Sequence, residues 1–452
     1  MDKQTKYDHG AVAVVDVGAL ENLPDQSVLS QLQGRVTGVQ IGKSGGPGGV
    51  PQVRIRGFSN VSTPNRPLYV IDGVQTNSGE IFNLINPSDI ESIQVLKDAS
   101  SAAIYGSRAN NGVIIVTTKK GSKGANADAV SFKINLSSAY QTPRKEAFPE
   151  FITPQQYADY LWLLQTNAGD GSISPNVQYG SGNSPVLPNY LTPSGASTAD
   201  LTNYALIAGA NNNPIKLANK EGTDWVGEIF APNFLNTVNL SAGKTSEDSS
   251  FFISSGYSSN NGILRHTSFD RYSLRANSSF NVGDRLTFGE SLTVAYSERK
   301  GSAGNQEEGG PINQAHRIQP IIPVYDVEGN FAGTAGGTLG NGSNPLAALY
   351  RNRNDIARTI RGVGNVYGIV HFTDQLDFKS SIGIDYSSTS SSDLNPVRLE
   401  DQEQQTTNRF TEWNGVYSET TFSNTLNYNG SFGDHSIKPI VGIEFNVRKN
   451  ME

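Results

Sequence analysis

The feature that most constrains this chain is a period-two alternation that begins past Gly124 and recurs to its end. Residues 376–386 are the clearest case. Leu376, Phe378, Ile382, Ile384 and Tyr386 share one face, and Asp377, Lys379, Ser381 and Asp385 share the other. Successive side chains of a strand point to opposite faces, so the pattern builds a sheet apolar on one side and polar on the other. It also marks strands at 132–140, 235–243, 250–259, 269–282, 285–298, 359–373, 415–430 and 436–448, nine in all. A soluble β-sandwich alternates too, but two features favour a membrane barrel. Tyr257, Tyr272, Tyr296, Phe372, Tyr386 and Tyr428 sit at strand ends, as interfacial girdles do. The connections also keep a parity. Short turns at 244–249, 282–284, 373–375 and 430–435 alternate with long segments at 141–233, 260–268, 299–358 and 390–414. Short periplasmic turns against long external loops is the outer-membrane arrangement, and a sandwich has no reason to keep it. Glu290 falls on the apolar face with Leu286, Phe288, Leu292 and Val294, so it lies near an interface or beside a bulge.

Other classes are excluded one by one. No window approaches 18 consecutive apolar residues, so no transmembrane helix is expected. A mean hydropathy of −0.39 is compatible with a barrel, in which only alternate residues face lipid. A net charge of −7 without a basic stripe argues against a nucleic-acid partner. Cysteine is absent, which removes disulfides and thiolate metal sites. His9, His266, His316, His371 and His435 show no metal-binding spacing. Glu307-Glu308 stands in a Gly-rich loop, and no Gly-x-Ser-x-Gly elbow occurs. Gly42-Lys43-Ser44 lacks the upstream glycine of a phosphate loop, since position 37 is Thr. Residues 333–340 miss the dinucleotide spacing, with Ala335 where the second glycine should be. The expectation is no enzyme and no cofactor.

Residues 34–121 read as a small α+β unit. Residues 53–56 alternate apolar and basic, and Leu68 to Ile71 is an apolar strand closed by the turn Asp72-Gly73. Ile90, Ile93, Val95 and Leu96 lead into a helix capped by Asp98, with residues 99–105 as its body and Gly106 as its left-handed stop. Residues 113–117 are β-branched and read as a buried strand. Ahead of the unit, Val12, Val14 and Val15 suggest a strand, and residues 24–32 an amphipathic turn of helix.

Three blocks in order, VRIRG at 53–57, PLYVIDG at 67–73 and NPSDIESIQVLKDASSAAIYGSRANNGVIIVTTKK at 86–120, resemble the plug domain of TonB-dependent outer-membrane transporters. Within these the wording is most similar to the SusC/RagA family, with Ser101 and Asn110 as minor departures, and residues 223–230 and 344–350 extend the likeness. The resemblance implies a transmembrane antiparallel β-barrel with an N-terminal α+β plug. The expected division is a lead-in at 1–33, a plug at 34–124 and the first part of the barrel at 125–452. Nine strands cannot close where the family has twenty-two and single-chain barrels an even number, so a longer protein is expected, with an apolar signal upstream of the polar start. No TonB box is identifiable before Gly10. The implied activity is TonB-driven import, chiefly of oligosaccharides, under a SusD-like surface lipoprotein; a siderophore, cobalamin or peptide receptor is the alternative within the class. A secreted carbohydrate-binding β-sandwich is the alternative outside it. Entry from a periplasmic plug runs the first strand outward, which places 141–233 outside the cell. Arg54, Arg56 and Arg108 are expected to pair with lumen-wall carboxylates, with Asp377, Asp385 and Glu444 among the inward acids. The alternative is that they are exposed sheet charges. Asp72 with Gly73, and Asp98 with Gly106, are expected to shape turn and cap.

Overall fold

The computed structural model describes residues 12–15, 27–42, 46–57, 66–121, 129–144, 146, 148–167, 175–195, 199–301, 309–433 and 435–451. The readings placed on His9, Gly10, residues 24–26, Lys43, Ser44, Glu307 and Glu308 lie outside these.

The N-terminal unit is built from β1 (Val12–Val15), α1 (Val28–Gln31), β2 (Val39–Ile41), β3 (Val53–Ile55), β4 (Leu68–Ile71), β5 (Val74–Thr76), β6 (Ile90–Leu96), α2 (Ala99–Ala102) and β7 (Val113–Thr118). Five strands form one sheet in the order β1-β6-β7-β4-β5, and β2 pairs β3 as a separate ribbon. The most apolar strands take the middle: all four residues of β4 are buried, and β4 runs parallel to the β-branched β7. Val28 and Leu29 of α1 join the unit's core, and β1 pairs β6, so residues ahead of 34 contribute to the same body. The run from Ile90 to Leu96 is itself a strand. Its pairing register shifts between Ile90 and Ser92, and that irregularity breaks the alternation by which it would be read. Asp98 caps α2 by accepting from Ser101 N at 3.0 Å. The α-helix ends at Ala102, however, and continues as a 3₁₀ stretch to Ala109. Gly106 has φ +63° and ψ −152°, a mirror-extended conformation open almost only to glycine, in place of the left-handed helical stop.

The remainder is one nine-stranded antiparallel sheet. Its strands are β8 (Ser131–Gln141), β11 (Asn233–Thr245), β12 (Ser249–Asn261), β13 (Ser268–Val282), β14 (Leu286–Lys300), β15 (Ile356–Thr373), β16 (Leu376–Asn395), β17 (Arg409–Tyr428) and β20 (Ile440–Met451). Each pairs only its sequence neighbours in the sheet, with β8 and β20 at the edges. The last strand starts at 440, not 436. β18 (Gly430–Phe432) and β19 (His435–Ile437) pair with each other apart from the sheet, and Pro439 has no N–H to give the ladder. The faces are inverted relative to a soluble sheet. In β13, Tyr272 and Leu274 are 54% and 57% exposed while Arg271 and Arg275 on either side of them are each 2% exposed. That is the signature of apolar-out, polar-in strands. β14 runs without a bulge, so Glu290 stays on the outward face, where it accepts a hydrogen bond from Ser278 of β13.

The long segments between strands fold together. They carry α3 (Pro154–Asn167), β9 (Tyr190–Leu191), β10 (Lys216–Leu217), α4 (Trp225–Ile229), α5 (Pro311–Arg317) and α6 (Pro345–Arg351). Trp162, Trp225, Ile229, Leu264, Ile321 and Leu349 share a second hydrophobic core, which makes these loops a cap. No helix among the described residues is long and apolar enough to cross a membrane.

Candidate functional site

The polar face of the sheet holds the N-terminal plug, and the seam between them is a run of buried hydrogen bonds and ion pairs. It starts at the two-residue turn Asp72-Gly73 joining β4 to β5. Positive φ values of +48° and +93° give the primed turn that a twisted hairpin favours. The turn carries the Asp72 carboxylate to β7, where it accepts from Thr118 N at 2.9 Å and Thr118 Oγ1 at 2.7 Å. Two wall strands complete it. Arg275 Nη2 of β13 lies 2.5 Å from Oδ2, and Ser291 Oγ of β14 donates at 3.0 Å. Asn277 of β13 adds hydrogen bonds to Thr118 Oγ1 and to the Lys119 carbonyl at 3.0 and 2.8 Å.

A second anchor is the turn Asn86-Pro87-Ser88-Asp89. Pro87 opens it with a preset φ, and the turn presents three polar side chains in succession. Arg271 Nη2 donates to Asn86 Oδ1 at 2.7 Å, and its Nη1 to the Asn83 carbonyl at 2.8 Å. Asn86 Nδ2 donates to Asn239 Oδ1 and Ser273 Oγ at 3.2 and 3.3 Å. Ser254 Oγ and Asn239 Nδ2 donate to the Asp89 carboxylate, at 2.5 and 3.3 Å. Burial pushes the Asp89 carboxyl above the ordinary range, against the pull of Ser254, Asn239, Arg275 and Lys119. Gly256 of β12 makes room for this turn: a Cβ there would sit 2.2 Å from Asn86 Nδ2.

Three more contacts run along β15 to β20. Arg361 grips Asp385 of the neighbouring strand through Nε at 2.9 Å and Nη2 at 2.6 Å, and turns Nη1 to Ser78 Oγ of the plug at 3.2 Å. Gln75 Nε2 donates to both Glu444 oxygens at 3.0 and 2.9 Å. Arg108 Nη2 meets Glu419 Oε1 at 2.9 Å, where Asn446 and Arg448 also donate.

Of the three plug arginines expected at the wall, Arg108 reaches a carboxylate there. Arg54 lies on the β2–β3 ribbon and donates to Gln52 Oε1 at 3.3 Å; Arg56 is exposed at φ +56°. Of the three inward acids, Asp385 binds the wall's own Arg361, Glu444 takes an amide, and Asp377 pairs with His371 at 2.6 Å. The dominant polarity is therefore reversed: wall guanidiniums of Arg271, Arg275 and Arg361 face plug groups around Asp72, Asp89 and Ser78. Sequence reasoning singled out none of these three arginines, although Arg271, Ser273, Arg275 and Asn277 alternate along one face of β13.

Comparison with known proteins follows the same outline. Residues 6–113 match the TonB-dependent Receptor Plug Domain. The TonB-dependent receptor SusC of Bacteroides thetaiotaomicron is 30% identical over 453 residues, covering 93% of this chain and 38% of that protein. TonB-dependent receptor P39 of Formosa agariphila is 28% identical over 440 residues, covering 96% of this chain and 36% of that one. The solved RagAB peptide importer in its closed-closed state superposes with a TM-score of 0.72 at 25% identity, over 97% of this chain and 49% of that chain. The chain thus spans between a third and a half of the length of these relatives.

Proposed function

Because this chain belongs to the SusC/RagA type of TonB-dependent outer-membrane receptors, we propose that it is the plug-bearing part of an energised importer of an oligosaccharide. In this reading the plug seals the lumen, TonB draws it aside from the periplasm, and a SusD-like surface lipoprotein covers the substrate on the outer side. The plug's own residues do no chemistry on the cargo; they bind the wall and let go of it.

The observation that carries the reading is the make-up of the seam. The plug keeps a hydrophobic core of its own, to which the wall adds little beyond Ala295 and Val363. What joins plug to wall is polar: Asp72 with Arg275, Asn86 with Arg271, Arg108 with Glu419. Water can take over such contacts, at a net cost of about 1.5–3 kcal/mol for each hydrogen bond to a charged group. A plug so held uncovers only a limited apolar patch when it is displaced, the one that meets Ala295 and Val363, and a gate needs that patch to be small. Oligosaccharide is favoured as cargo by the 30% identity to a SusC receptor across nearly the whole chain.

Growth tests the proposal. A strain lacking the full-length gene should lose growth on one oligosaccharide class while still growing on its monosaccharide. Loss of TonB should give the same defect. Unchanged growth on every glycan, with a defect on peptides or under iron limitation, would overturn the substrate assignment.

A further inference from the structure

The cap holds a groove outside the seam, with a volume of about 890 Å³. Phe148, Phe151 and Phe230 line its floor, and Glu150, Glu221 and Asp224 stand exposed among its lining residues. Among the described residues no Lys, Arg or His lines it. The size is that of a ligand site, and an apolar floor under Glu150, Glu221 and Asp224, the last also capping α4 through Gly227 N, favours an apolar occupant that carries positive charge. Anionic groups, such as a lipid phosphate, are repelled.

Its position limits the occupant further. Thr142 and Pro232 belong to the lining, one residue past the last pair of β8 and β11, Gln141 with Asn233. The pair before that, Tyr140 with Phe234, is an exposed aromatic contact on the outward face, ring centroids 5.1 Å apart. Strand alternation thus brings Thr142 and Pro232 to the same outward side as this girdle pair. The groove opens where the apolar band of the sheet gives way to the cap, which is the level of a membrane surface.

We infer that this groove docks an extended, apolar segment bearing Lys or Arg from the membrane-tethered end of the surface lipoprotein partner. The inference rests on the proposed function, which supplies that partner. A segment leaving a lipid anchor travels along the membrane surface and meets the groove mouth before it reaches the top of the cap. Its aliphatic side chains cover the phenylalanines, and its cations sit among Glu150, Glu221 and Asp224.

The test uses the full-length receptor produced with the lipoprotein encoded beside it. Phe151→p-benzoylphenylalanine places a photoreactive ring in the groove, and the same replacement at Leu163, exposed on α3 and outside the lining, is the control. Irradiation of the purified complex should link position 151, and not position 163, to the lipoprotein between its lipidated cysteine and its first folded element. Glu150→Lys with Glu221→Lys should cut that yield about tenfold, equivalent to about 1.4 kcal/mol, and 1 M salt should erase most of the difference by screening. Links to lipopolysaccharide, to a later part of the same polypeptide or to the lipoprotein's globular body would overturn the inference. So would charge reversal without effect. Failure of the two proteins to purify together would remove the partnership, and the inference with it.

Discussion

At the residue scale the seam turns on Asp72, which serves three masters: the turn, β7 and Arg275. Removing one member of a buried ion pair strands the other, at about 3–5 kcal/mol in a dry interior. Arg275 would keep Thr293, Asn277 and Ser291 as partners, so Asp72→Ala should weaken plug docking by less, about 1–3 kcal/mol. The measurement is urea-induced exposure of the plug to protease in the full-length receptor. In a cycle with Arg275→Met the double variant should cost less than the sum of the singles; strict additivity would mean that the pair is not coupled. The sequence made Asp72 legible as a turn residue, because Asp-Gly after an apolar run carries its own turn chemistry. Its wall partner was not legible, since nothing local to 67–74 tells which strand of a long sheet passes behind it. Arg108 does meet a wall carboxylate, Glu419, while the larger share of the seam takes its cations from the wall, because sign alone does not say which side supplies them. A second residue-scale case sits in the cap. Lys216 is fully buried and donates to the Gly333 and Ala335 carbonyls at 3.0 and 2.5 Å. Burial pushes its ammonium down to about 7, despite Asp326, Asp401 and Glu400 nearby. The unfolded chain therefore binds more protons than the folded one from pH 7 up to the ordinary lysine value, and stability rises with pH across that window. Asp401, pushed up to about 6 by burial, acts below it. Thermal melting of the cap in the full-length protein should shift upward between pH 7 and 9, and Lys216→Met should flatten the slope. A slope that persists in the variant would assign it elsewhere.

At the element scale, alternation located all nine wall strands, though β16 runs on to Asn395 and β17 starts already at Arg409, because a one-residue slip would swap the whole apolar set to the wrong face. The elements it missed lack that constraint. β6 hides its alternation behind a register shift, and α3 to α6 are short helices whose apolar faces meet only in the shared core. The turn at Asn86 to Asp89 is the most consequential of the missed elements, since from sequence it reads only as Pro punctuation. Gly256 gives a direct probe of it. Valine there has no room beside Asn86 and should push the turn off the wall while leaving the strand outside that contact intact. Full-length Gly256→Val is therefore expected to raise outer-membrane leak of a small antibiotic, with the barrel still resistant to heat in detergent. Leak at the wild-type level would show that the turn adjusts and does not seal.

At the scale of the whole molecule, sidedness follows from how the connections are distributed. Every short turn of the sheet lies at one end, and residues 142–232, 262–267, 301–355 and 396–408 leave from the other. Those four segments are not independent loops. The Phe230–Leu264 bridge joins the first to the second, Lys216 joins the first to the third, and Arg351 meets Glu400 at 2.6 Å to join the third to the fourth. A body with its own hydrophobic core must be on one side of the membrane as a unit. In an outer-membrane barrel the long connections are the external ones, so the whole cap is expected outside the cell and the plug termini inside. Cysteines introduced at Tyr160 of α3 and at Tyr325, both more than half exposed, test this together. On intact cells both should react with a membrane-impermeant maleimide, while a cysteine at Asp284 in a short turn should react only after the outer membrane is opened. Labelling of Tyr160 and Tyr325 on opposite sides would break the unity of the cap. Labelling of Asp284 alone on intact cells would invert the barrel, and with it the route by which a periplasmic force could reach the plug.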